Sequence, residues 1–81
     1  MRLDKYLKVS RLIKRRTVAN EACDNGRITV NGKVERASYP VKVGDVIVIS
    51  FGQRQLKVEV TQVAEHALKE EAAAMYREIS L

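Results

Sequence analysis

Apolar residues recur at three- and four-residue intervals near the start of this chain and at every second position in its middle, which predicts helices first and strands afterwards. Leu3, Tyr6 and Leu7 fall on one helical face, and Asp4 sits near its start, where a negative charge suits the positive helix end. Lys5 and Lys8 then lie on a face away from the core. A second helix is predicted from about Arg15 to Asn25, with Val18, Ala19, Ala22 and Cys23 as a narrow apolar stripe and Gly26 as the stop. Leu12 and Ile13 become the apolar plug between the two helices.

After Gly26 the period changes to alternation. "RITV", Asn31-Gly32 and "KVER" make a hairpin, because both turn residues tolerate positive φ, and Ile28, Val30 and Val34 are expected to face inward. "ASYPVKVGD" carries the proline of the chain and reads as a loop. "VIVISF" and "LKVEVTQVA" follow as strands across "GQRQ", with Leu56, Val58 and Val60 alternating against Lys57, Glu59 and Thr61. "HALKEEAAAMYREISL" returns to helical period through Leu68, Ala72, Met75, Tyr76 and Ile79, a stripe expected to pack on the sheet. The expected fold class is α+β: two N-terminal helices, an antiparallel sheet of about four strands and a C-terminal helix. Residues 1–66 form the main domain, and residues 67–81 supply the C-terminal helix of the same single domain.

Composition narrows what such a fold can do. At 81 residues the chain cannot hold a catalytic domain besides its own core, and at 46% hydrophobic residues it is too apolar for a disordered tail. It shows no charged-then-apolar leader and no apolar run long enough to cross a bilayer, which predicts a cytosolic protein. Cys23 and His66 stand alone, with no metal-ligand spacing and no nucleophile beside a base, so neither a cofactor nor an enzyme is expected. Cys23 reads as a small buried residue.

Charge changes the picture most. Residues 1–16 hold Arg2, Lys5, Lys8, Arg11, Lys14, Arg15 and Arg16 against Asp4, while the remainder holds eight basic and nine acidic side chains. The net charge of +5 therefore belongs to the N-terminus. Within it, "SRLIKRRTVAN" at 10–20 has four cations and no acid, which points to a polyanion rather than to a solvated face. An anionic membrane is the competing partner, but tryptophan is absent and Phe51, the one phenylalanine, falls in a strand, so no membrane is expected. Asp4 has no second carboxylate or histidine near it and reads as an ion-pair residue that orients Arg16 or a neighbour. Lys33, beside the hairpin turn, is a further candidate contact. Tyr39 could stack on a base or cover the edge of the core.

Three blocks carry a resemblance. "RLDKYL" at 2–7, "RRTVANEACDNGRITVNGK" at 15–33 and "VKVGDVI" at 41–47 resemble the RNA-binding domain named after ribosomal protein S4, in family order and spacing. The resemblance implies two helices packed on a small antiparallel sheet, with RNA along the helices; together with the clustered charge and the hairpin turn, this makes Arg2, Asp4, Lys5, Lys8, Arg11, Lys14, Arg15, Arg16 and Lys33 the expected RNA-contact residues. "KVSRLIKRRT" at 8–17 and "KEEAAAMY" at 69–76 resemble the free-standing ribosome-quality-control members of this family, relatives of the fifteen-kilodalton heat-shock protein. That resemblance implies ribosomal RNA of the large subunit and peptidyl-tRNA as partners, alanine tailing of the stalled chain with an RqcH-like factor, and a monomer off the ribosome. The alternative is a heat-shock-type factor that acts on the same stalled subunit without tailing. One departure stands out: many members have Ser-Arg at the start of the second helix, and here Arg15-Arg16 takes that place. The hydroxyl cap is missing, leaving the free N–H groups to water or a phosphate oxygen.

Overall fold

The computed structural model describes residues 1–80. Helix α1 spans Leu3–Val9 and buries Leu3, Tyr6 and Leu7 completely. No side chain caps its start; instead the amides of Leu3 and Asp4 donate to the carbonyls of Tyr39 (2.9 Å) and Ala37 (3.1 Å), so the loop after the first hairpin meets two of its free donors. Helix α2 spans Arg16–Asp24 and ends on Gly26, whose φ of +71° admits the closing bonds Arg27 N–H to Ala22 (2.9 Å) and Gly26 N–H to Cys23 (3.1 Å). Ala19 and Cys23, one turn apart, are buried against the core, whereas Val18 is 47% exposed. The apolar stripe is thus narrower than its sequence pattern, and its outer member is left on the surface.

The sheet has five antiparallel strands, β1 (Ile28–Val30), β2 (Lys33–Val34), β3 (Val46–Phe51), β4 (Arg54–Val60) and β5 (Tyr76–Ile79), in the order β2-β1-β3-β4-β5. Asn31 (φ +54°) and Gly32 (φ +83°) make the expected two-residue turn. That turn sets Val30 opposite Lys33 and Thr29 opposite Val34, and opposed residues share a face. Ile28 and Val30 face the core, so Val34 must face away with Thr29; it is 55% exposed, correcting the expectation that it points inward. The next turn is also tighter than expected, because Arg54 and Gln55 of "GQRQ" already pair with Phe51 and Ser50.

The larger departure is at the C-terminal end. The helix is present as α3, but it covers only Lys69–Ala73. Tyr76–Ile79 then pairs along β4, from Val60 opposite Tyr76 to Lys57 opposite Ile79. Helix propensity over "KEEAAAMY" is real but weak without a tertiary partner, and β4 offers an otherwise unpaired edge of donors and acceptors. Met75 settles the crossover: it is fully buried, and its carbonyl accepts the Tyr6 hydroxyl (2.7 Å) and the Thr61 amide (2.9 Å). Leu81 lies outside the described residues. One contiguous core joins α1 and α2 to the inner face of β1, β3 and β4 and to Met75.

Candidate nucleic-acid interface

Asp4 is the organising residue of the basic surface. It stands in the first turn of α1 with its side chain 3% exposed. Its Oδ1 accepts from the Lys5 amide (2.8 Å) and Arg2 Nε (3.1 Å); its Oδ2 accepts from Asn20 Nδ2 (3.2 Å) and Arg2 Nη2 (3.3 Å) and lies 3.5 Å from Arg16 Nε. Burial works to raise the pKa of this carboxyl, but the bonds from Arg2, Asn20, the Lys5 amide and Arg16 together outweigh it and bring it down to about 2. The same contact holds the Arg2 guanidinium charged even more firmly than usual. One acid therefore ties the N-termini of both helices together and fixes two half-exposed guanidiniums side by side.

The start of α2 carries no side-chain cap, as Arg15 is extended (φ −122°, ψ 134°) and offers no acceptor. Arg16, Thr17, Asn20, Glu21 and Asp4 line a cleft of about 390 Å³ beside it. A larger cleft of about 510 Å³ lies at the other end of α1, lined by Lys8, Val9, Arg11, Lys14, Glu65, His66 and Ala67. Among the described residues, Lys8, Arg11, Lys14 and Arg15 make no ion pair. Arg11 has φ +65°, a left-handed backbone that costs a side-chain-bearing residue about 1–2 kcal/mol. It closes α1 through its amide to the Lys8 carbonyl (3.0 Å), while Ile13 plugs the core and Leu12 packs against it.

The nine residues singled out by the sequence do not form one set. Arg2, Asp4 and Arg16 come together as one cluster, and Lys8, Arg11 and Lys14 line the larger cleft. Arg15 is exposed at the joint between them. Lys5, expected on a face away from the core, is paired through its Nζ with Glu65, and hydrogen bonding to Lys5 lowers the Glu65 pKa. Lys33 is exposed on the edge strand β2 and lines neither cleft. Tyr39 is half-buried against the core, and its hydroxyl donates to Asp45 (3.1 Å).

Two further residues of these clusters escaped the sequence pattern. Asn20 lies one helical turn after Arg16, a spacing that hints at a shared partner without naming it. His66 sits on the segment between β4 and α3, far along the chain from the helices whose cleft it lines. Burial pushes the Cys23 thiol up to about 11, which keeps it protonated and inert. Among the described residues, no group of three His, Cys, Asp or Glu side chains gathers to hold a metal, and no helix is long and apolar enough to cross a membrane.

The sequence model described as the S4 domain matches residues 1–47, which contain the Asp4 cluster and the joint. An "RQC P-site tRNA stabilizing factor" of Halalkalibacterium halodurans is 62% identical over 76 residues, covering 94% of this chain and 86% of that protein. One of the same name from Bacillus subtilis is 55% identical over 76 residues, covering 94% of this chain and 88% of that protein. Among solved structures, Vibrio cholerae Heat Shock Protein 15, described as trimeric, has a TM-score of 0.91 at 27% identity, covering 99% of this chain and 82% of that one.

Proposed function

Since the chain belongs to the S4 domain family, we propose that it is a non-catalytic RNA-binding factor of ribosome quality control, acting in the cytoplasm on large subunits obstructed by peptidyl-tRNA. It steadies the P-site tRNA and so supports alanine tailing of the stalled chain by an RqcH-like factor. It works as a monomer off the ribosome and uses no membrane. The observation that carries this reading is the unopposed charge of Lys8, Arg11, Lys14 and Arg15 beside a pair of guanidiniums already aimed by Asp4. Cations without protein partners exchange counterions along a phosphate backbone, and a fixed arginine pair selects shape rather than sequence. Lys33 is the outlying member of this contact set.

Specificity for one ribosomal state follows from touching ribosomal RNA and tRNA at once. The second contact is then intramolecular, and avidity can rise by about a hundredfold or more when geometry matches. The test compares binding to empty large subunits and to subunits carrying peptidyl-tRNA at one salt concentration. The expected result is a clear preference for the latter that disappears when Lys14, Arg15 and Arg16 are neutralised. Equal binding to both would leave a generic polyanion binder. A second reading, subunit binding and recycling without tailing, draws on the overall likeness to the Vibrio heat-shock protein; in cells with an RqcH-like factor, unchanged alanine tails after deletion would favour it.

A further inference from the structure

The larger cleft has two walls, and only one belongs to the helices. Lys8, Arg11 and Lys14 line it from α1 and the joint, while Glu65, His66 and Ala67 line it from the segment between β4 and α3. That segment is anchored: the Thr61 amide and hydroxyl donate to the carbonyls of Met75 (2.9 Å) and Ala74 (2.7 Å), and Val63, Ala64 and Ala67 pack against the core. Its carboxylate, Glu65, is engaged by Lys5 Nζ, so it does not compensate the three cations opposite. His66 is exposed on this wall, and its side chain makes no hydrogen bond among the described residues.

We propose that residues 65–67 form the second wall of the RNA interface, and that the cleft seats the sugar-phosphate backbone of one RNA strand between His66 and the cations Lys8, Arg11 and Lys14. The ligand class follows from the lining. Three cations with no ion-pair partner, plus an imidazole that can donate or accept, suit phosphodiester and ribose oxygens. The lining holds no Trp, Phe or Leu, so it lacks the apolar anchors with which a protein seats itself in a lipid surface. A wall fixed before binding loses little freedom when the strand enters, which preserves affinity. The Lys5–Glu65 pair is then a strut that ties this wall to α1 and offsets the charge of the acid that lines the cleft.

The inference rests on the RNA-binding reading above, and the test separates the two. Full-length variants are titrated with a short synthetic RNA hairpin and with purified large subunits over a salt series. His66→Lys should tighten binding roughly fivefold near 0.15 M salt and steepen the log–log salt slope by about 0.7–0.9, the value of one added phosphate contact. His66→Glu should weaken binding by a similar factor. Gln62→Glu, exposed near the same segment but not lining the cleft, adds one negative charge away from the strand and should leave binding within about twofold. Because His66→Lys is a gain, it reads the proposal even if His66→Glu perturbs the segment. If Lys14→Ala weakens binding while both His66 variants match wild type, the second wall is overturned and the RNA-binding reading stands. If none of the three changes binding, both fall. If the His66 variants alter retention on phosphatidylserine vesicles but not on the hairpin, the cleft is a lipid site and the proposal is overturned.

Discussion

The two ends of α1 carry basic residues in opposite electrostatic settings. At its start, Arg2 and Arg16 share a buried carboxylate whose partners on Lys5 and Asn20 complete the ring. At its far end, Lys8, Arg11 and Lys14 face a cleft whose acid is already taken. The first arrangement sacrifices net charge for direction, because each guanidinium is held before any ligand arrives. The second keeps its full charge but leaves the side chains free. Geometry and potential are thus supplied by separate groups, and damage to each should look different.

The sharpest break is Lys8→Ala, Arg11→Ala and Lys14→Ala together. Three lost contacts should lower RNA affinity by about a hundredfold near 0.15 M salt and flatten the salt slope by about 2–3, with little change in the urea midpoint. If the midpoint falls as far as the affinity, the far end is structural and the contrast fails. Asp4→Ala should do the reverse in kind, lowering stability by about 2 kcal/mol while also misaiming Arg2 and Arg16, read by urea denaturation beside RNA titration. Acid should reproduce that loss. The Asp4 pKa is depressed in the folded state, so its contribution is complete above the unfolded value near 4 and disappears as pH falls through about 2. Asp4→Ala should therefore flatten the stability profile between about pH 4 and 2, which a denaturation series across that window reads directly.

Smaller effects sharpen the contrast. Arg16→Ala removes one half-exposed partner of Asp4 and should cost about 0.5–1 kcal/mol in a thermal melt, with a disproportionate loss of subunit binding. Arg11→Gly should stabilise the fold by about 0.5 kcal/mol, because glycine accepts φ +65° without strain, yet weaken RNA binding roughly fivefold. A residue that improves the fold when removed and the ligand affinity when kept is held there for the ligand. If Arg11→Gly both destabilises and binds normally, that reasoning is wrong.

Local patterns sufficed wherever the deciding interactions are local. The helical repeat of Leu3, Tyr6 and Leu7, the stop at Gly26, the Asn31-Gly32 turn and the crowding of cations around Leu12 and Ile13 all survive in the structure, because helix period, left-handed glycine and like-charge density act within a few residues. Reading Asp4 as the residue that orients Arg16 also agrees with the ion pair, since both belong to a short stretch of two packed helices. Val34 could have been assigned outward from the turn alone, as a two-residue hairpin places it opposite Thr29.

Other features depend on neighbours that the chain order does not announce. Tyr76–Ile79 has helical spacing, but the open edge of β4 and the buried Met75 make it a strand, since many edge bonds together outweigh a weak propensity. Lys5 reads as free until Glu65, sixty positions later, comes to meet it, and His66 becomes a cleft residue by the same fold-back. The sequence by itself determined the order of the elements through Tyr6, Val30 and Val58 and where the positive charge is concentrated, because period and charge are properties of neighbours along the chain. Only the tertiary structure decided which of those charges remain unpaired, because that depends on which distant carboxylates the folded chain brings within reach.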